Sequence, residues 1–171
     1  METNRTITEI EVALSKTDSF NFVRNIVAFN VHGLGVTLNI CHECDMLILS
    51  KSGYLTEIEI KRSWSDFLAD FRKPHNHDGR GLIKYFYYCV PYSILDKVYS
   101  KLEEIKLPFT GIVTYDEDLK IQIHGNKSSD GKEFFREMHP HRKLFIEEQL
   151  QVARYGSMRS VQLKEKLIKY E

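Results

Sequence analysis

Two short runs, Cys44–Leu49 and Leu55–Ile60, flank the segment Ser50-Lys51-Ser52-Gly53-Tyr54, and together they constrain this chain more than any other feature. Strand-length segments on either side of a glycine-containing turn spell an antiparallel hairpin, because glycine accepts the backbone angles that a tight reversal needs. With the turn centred on Ser52, Asp45 stands opposite Glu59 and Glu43 opposite Lys61. Side chains alternate along a strand. Glu43, Asp45, Leu47 and Leu49 therefore share one side with Glu57, Glu59 and Lys61, while Cys44, Met46, Ile48, Ile58 and Ile60 take the other. Carboxylates facing each other across a ladder repel, which is unfavourable in a purely structural sheet. With Lys61 one step along, they form an oxygen-rich cluster suited to Mg²⁺ or Mn²⁺. The competing reading is a charged, solvated hairpin face.

The elements around the hairpin read as follows. Ile7–Leu14 is a helix capped by Thr6 or Thr8, with Ile7, Ile10 and Leu14 on one face, Glu11 at its border and Glu9 pointing away. Phe22–Phe29 is a strand, and Gly33-Leu34-Gly35 marks a turn or bulge. A helix starts at Ser63-Trp64-Ser65-Asp66 and runs through Phe71, ending in the polar loop Lys73-Pro74-His75-Asn76-His77-Asp78-Gly79. Ile83–Pro91 is a strand of high β propensity stopped by its proline. Ser93–Ile105 is an amphipathic helix, Thr110–Tyr115 and Leu119–His124 are strands, and Phe145–Ile168 is helical with a break at Tyr155-Gly156-Ser157. This order argues for a three-layer α/β or α+β domain around a mixed sheet.

Composition narrows the class. The chain has 171 residues, 42% of them hydrophobic, enough for one compact domain with a core and unlike a disordered chain. Its 24 basic and 24 acidic side chains cancel, so no global field announces a nucleic-acid partner. No apolar run approaches the roughly 20 residues that span a bilayer, and the start Met1-Glu2-Thr3-Asn4-Arg5 lacks a secretory pattern. The expected location is the cytoplasm, with no membrane association. Three cysteines, Cys41, Cys44 and Cys89, suit reduced thiols better than a disulfide framework.

Cys44-Asp45-Met46-Leu47-Ile48-Leu49, a glycine turn and then Glu57-Ile58-Glu59-Ile60-Lys61 resemble the D-x(n)-E-x-K signature of the PD-(D/E)XK nuclease superfamily. The next helix, Ser63-Trp64-Ser65-Asp66-Phe67-Leu68-Ala69-Asp70, matches S-x-x-D-F-x-x-D, and Tyr85–Pro91 ends in Val-Pro. Both are similar to the MmcB-like DNA-repair group of that superfamily. The proline of the superfamily name is absent, since Cys44 precedes Asp45. The resemblance spans about Ile7 to His124. It implies a restriction-endonuclease-like core over residues 1–125, a mixed central sheet flanked by helices; outside the resemblance, the change of character after Gly125 reads as a loop and helical C-terminal extension over 126–171 packed on or beside that core. The resemblance further implies metal-dependent hydrolysis of DNA phosphodiesters. Asp45 and Glu59 would be metal ligands, the Ile60 backbone carbonyl would complete the inner shell, Lys61 would be the catalytic lysine and Glu11 the helix-borne glutamate.

Glu43, Lys73 and His75 are secondary, substrate-binding candidates, although a pair such as His75 and His77 reads first as a solvated loop. Cys41-His42-Glu43-Cys44 lacks the second ligand pair that a structural zinc site normally needs. Tyr85-Phe86-Tyr87-Tyr88 reads as core rather than a base-stacking platform. His139 to Lys143 and Arg154, Arg159, Lys164 and Lys166 offer backbone-binding charge, diluted by Glu147, Glu148 and Glu165. Two further readings stand beside the nuclease. One is a catalytically silent DNA- or protein-binding module on a nuclease fold. The other is an accessory subunit whose C-terminal helices dock a partner protein or a second copy of the chain.

Overall fold

A computed structural model describes residues 4–32, 38, 40, 42–72, 82–107, 110–124, 126–127, 133–134 and 141–168. The elements run α1 (Ile7–Ser15), β1 (Ile26–Val31), β2 (Cys44–Leu49), β3 (Leu55–Ile60), α2 (Trp64–Asp70), β4 (Ile83–Pro91), a 3-10 turn (Tyr92–Ile94), α3 (Leu95–Glu104), β5 (Thr110–Tyr115), β6 (Ile121–His124), β7 (Asn126–Lys127), β8 (Glu133–Phe134) and α4 (Ile146–Ile168). β1 to β6 form one sheet in chain order, and β7 pairs with β8 apart from it. β1, β2 and β3 pair antiparallel, β3–β4 and β4–β5 parallel, and β5–β6 antiparallel. The fold is thus α+β, a mixed open sheet with helices on both faces. Among the described residues no helix is long and apolar enough to cross a membrane.

Alternation along the strands sorts the core into two layers. Met46, Ile48, Ile58, Ile60, Tyr87, Cys89, Val113 and Tyr115 meet Ile10 and Leu14 of α1 on one face. Leu47, Leu49, Leu55, Phe86, Tyr88, Val90 and Ile112 meet Phe67 of α2, Val98 and Leu102 of α3 and Val152 of α4 on the other. Tyr88 is thus core, its ring centroid 5.0 Å from that of Phe67.

The hairpin register is the expected one over its length, from Leu49↔Leu55 to Met46↔Ile58. Ser50 N–H donates to the Tyr54 carbonyl at 3.0 Å, and Gly53 turns the chain at φ +84°. Thr6 caps α1 in a capping box with Glu9. Ser63 caps α2 by accepting the Asp66 N–H, while the Asp66 carboxylate accepts the Arg62 N–H. Those two hydrogen bonds account for the Ser and first Asp of the S-x-x-D-F-x-x-D helix.

Four boundaries differ from expectation, and the stretch after Gly125, expected to be loop, contributes the short antiparallel pair β7 and β8. β1 begins at Ile26 rather than Phe22, because Asn21 Oδ1 accepts the Val23 N–H at 2.7 Å and its carbonyl takes those of Arg24 and Asn25. Side-chain competition of this kind folds the backbone into a turn before pairing starts. β6 begins at Ile121, since Asp116 Oδ1 holds the N–H groups of Asp118 and Lys120 and Leu119 is left-handed at φ +59°. A 3-10 turn, Tyr92–Ile94, precedes α3, which starts at Leu95. α4 runs unbroken through Gly156. A Cβ there would lie 3.2 Å from the Val27 carbonyl oxygen, so this glycine lets helix and strand approach closely.

The C-terminal region is built into the core. Leu144 and Val152 are buried with Ala28 and Val31, and the Leu144 N–H donates to the Gly53 carbonyl at 2.8 Å. Arg159 donates to the Phe29 and Asn30 carbonyls of β1 at 3.3 and 3.0 Å. α4 therefore covers the side of β1 that, among the described residues, pairs with no other strand.

Candidate active site

Three consecutive same-face residues of β3 and its end, Glu57, Glu59 and Lys61, are all buried. Charges do not enter a core unpaired, and each has a partner. Lys61 Nζ donates to Glu59 Oε2 at 3.0 Å and to Asp70 Oδ1 at 2.8 Å. The other Asp70 oxygen accepts the Tyr88 hydroxyl at 2.8 Å. Burial by itself would push the Lys61 ammonium down, but the carboxylates of Glu59 and Asp70 outweigh it and hold the group above its ordinary range. Burial, with Asp70 beside it, pushes the Tyr88 phenol up, so it stays a donor. One pleat back, Glu57 Oε1 lies 2.6 Å from His42 Nε2.

Asp45 sits where β2 leaves β3. Pairing stops at Met46↔Ile58, and Asp45 Oδ2 accepts the Ile60 N–H at 2.8 Å in place of a main-chain acceptor. The same point is irregular on β1, where Asn30 falls between the pairs Phe29↔Met46 and Val31↔Cys44 and adopts φ +49°. Its amide donates to Glu11 Oε1 at 3.0 Å. Burial raises Glu11 to about 7; the Asn30 hydrogen bond opposes this, the Asp45 charge adds to it, and Arg159 opposes it. Alternation also breaks here. Cys44 joins the layer of Leu47 rather than that of Met46, where strict alternation would put it: beyond the irregularity at Asn30 it pairs with Val31 alone, and its Sγ lies 3.6 Å from His42 Nε2.

Of the residues singled out in the sequence, the chain brings Asp45, Ile60, Glu59 and Lys61 to the β2–β3 divergence. Glu11 comes with its helix onto the other face, held by Asn30 beside Asp45. Glu43 is exposed at the entrance to β2. Lys73 and His75, with His77, Cys41 and the Gly33-Leu34-Gly35 stretch, lie outside the described residues. Sequence reasoning gave no role to Asp70, Tyr88 and His42, or to Glu57 beyond its place on the strand face. Asp70 was within reach: it is the final Asp of the S-x-x-D-F-x-x-D helix, two turns after Ser63. Nothing local marks His42 as the partner of Glu57.

Asp45, Glu59 and the Ile60 carbonyl are oxygen donors, the set that hard divalent cations take. Strand geometry turns the Ile60 N–H and C=O the same way, toward Asp45, so the donor chemistry fits Mg²⁺ or Mn²⁺. His42, Cys44 and Glu57 are a second group with different chemistry, their ligand atoms all within 4.8 Å of one another.

No family model and no curated protein matches the chain. A solved structure of a protein of unknown function from Silicibacter pomeroyi is similar over 96% of this chain and 92% of its own, with a TM-score of 0.58 and 14% sequence identity. At that identity the likeness is one of fold: the chain shares its α+β architecture with this bacterial protein.

Proposed function

We propose that the chain is a nuclease-fold protein that hydrolyses DNA phosphodiester bonds with Mg²⁺ or Mn²⁺ at Asp45, Glu59 and Lys61. One observation carries the reading. The Asp45 carboxylate reaches across the hairpin to the backbone of Ile60, the central residue of Glu59-Ile60-Lys61, at 2.8 Å. An upstream Asp and an E-x-K strand then meet at one point, on a mixed sheet of the kind the superfamily resemblance implies.

Asp45, Glu59 and the Ile60 carbonyl would hold the cation. Bound there, it polarises a phosphate and lowers the pKa of water. The protein's own groups do the positioning. Glu59 and Asp70 fix the Lys61 ammonium and keep it charged, so that it offsets negative charge developing on the phosphate. Tyr88 holds Asp70 from behind. Asn30 orients Glu11 at the far side of Asp45.

A second reading has its own support: Lys61 is 4% exposed and spans two carboxylates, an arrangement that also suits a structural ion network in a DNA- or protein-binding module without hydrolysis. Calorimetry with Mn²⁺ and Mg²⁺ on the native chain and on an Asp45→Ala, Glu59→Ala double substitution separates the two. Binding lost with the pair, and cleavage of single-stranded, duplex or branched DNA lost on Lys61→Ala, is the expected result. Native-like cleavage by Asp45→Ala and Lys61→Ala would remove the assigned roles. DNA binding without turnover under any divalent cation would establish the binding module.

A further inference from the structure

We infer that His42, Cys44 and Glu57 form a second metal site, specific for a Zn²⁺-class ion and chemically distinct from the oxygen site at Asp45. The ligands come from two places that the sequence separates: His42 and Cys44 from the entrance to β2, Glu57 from β3. All three ligand atoms lie within 4.8 Å of one another. The His42 side chain is 8% exposed and that of Glu57 1%, while Cys44 is fully buried. Buried imidazole, thiol and carboxylate converging on one point are the donor set of zinc, whereas Mg²⁺ takes oxygen donors and is poorly served by sulfur.

The spacing agrees with that donor set. Zn–S of about 2.3 Å and Zn–N of about 2.05 Å at a tetrahedral angle separate sulfur from nitrogen by about 3.6 Å. Cys44 Sγ and His42 Nε2 stand 3.6 Å apart. The His42–Glu57 edge, 2.6 Å as a hydrogen bond, opens to about 3.3 Å when an ion replaces the proton between them. Zinc takes the sulfur as thiolate, so metal uptake would release the Cys44 proton to solvent. Tetrahedral zinc takes a fourth ligand beside these three described residues.

Glu57 and Glu59 are two residues apart on one strand face, about 7 Å along the strand. The ion would thus pin the segment entering β2 against β3, one pleat from the proposed hydrolytic site. The inference does not depend on that site being active.

Co²⁺ titration of the full-length chain tests it, with Zn²⁺ affinity measured by competition in excess Mg²⁺. Expected is a thiolate-to-Co²⁺ absorption band in the native chain, absent in Cys44→Ser and retained in Asp45→Asn. Zn²⁺ affinity should fall about tenfold or more in His42→Gln and Glu57→Gln. No such band in the native chain, or a band that survives in Cys44→Ser, overturns the inference. Should Cys44→Ser fail to fold, unchanged Zn²⁺ affinity in both His42→Gln and Glu57→Gln overturns it equally.

Discussion

Lys61 faces two carboxylates at once, and the second of them decides how rigidly the first is held. Removing one partner of a buried ion pair strands the other and costs about 3–5 kcal/mol. Asp70→Ala takes a partner from both Lys61 and the Tyr88 hydroxyl. Its thermal midpoint should drop on the order of 10 °C by calorimetry, with the Glu59–Lys61 contact left to relax toward solvent. Glu11 makes a pH-dependent prediction. Its carboxyl titrates near 7 in the folded chain against 4.5 ordinarily, so across that interval the folded state holds the proton longer and stability falls as pH rises. Glu11→Gln keeps an oxygen for Asn30 and removes the titration. Thermal melts of variant and native chain should coincide below pH 4.5 and separate progressively up to pH 7, the variant melting higher. The charged residues of the hairpin were legible because a turn centre and a period of two place them by counting. The glutamate's amide partner was not, since it arrives from an element whose packing no local pattern encodes, and for the lysine's second partner the only mark was its place at the end of the S-x-x-D-F-x-x-D helix.

At the scale of elements, four of the six strands of the main sheet could be read directly. Cys44–Leu49, Leu55–Ile60, Ile83–Pro91 and Thr110–Tyr115 have the bounds that their apolar and β-branched runs suggest. Misreadings fell where one polar side chain outcompetes the ladder, Asn21 before β1 and Asp116 before β6. Gly156 misled for the opposite reason. In isolation it weakens a helix by about 1 kcal/mol relative to alanine, so it reads as a break. In the fold it lies close against β1, where an added Cβ would meet the Val27 oxygen at 3.2 Å and Ala28 Cβ at 4.0 Å. Gly156→Val should destabilise by about 1–3 kcal/mol in urea unfolding, because the helix must lift from the strand. Gly156→Ala should stay within about 1 kcal/mol of native, its propensity gain offsetting a tight 3.2 Å contact.

For the whole molecule, the sequence reading placed its main boundary at residue 125, where the resemblance stops, and the packing shows what lies beyond it. Leu144 and Val152 fill the same core layer as Ala28 and Val31, and Arg159 occupies outward carbonyls of β1. Deleting residues 142–171 should therefore cost soluble monomer, seen as aggregate or dimer by size-exclusion chromatography. Deleting only 163–171 should leave the monomer and its melting temperature close to native, since Leu163, Leu167 and Ile168 are exposed. An unprotected sheet edge is a template for another chain. β1 is made early and its cover late, with roughly 120 residues between Val31 and Val152; at 5–20 residues per second that interval lasts on the order of 6–24 s. During synthesis the nascent protein thus carries an open β edge for many seconds before α4 arrives to close it. Ribosome-bound chains ending before α4 are where a chaperone's protection would count most.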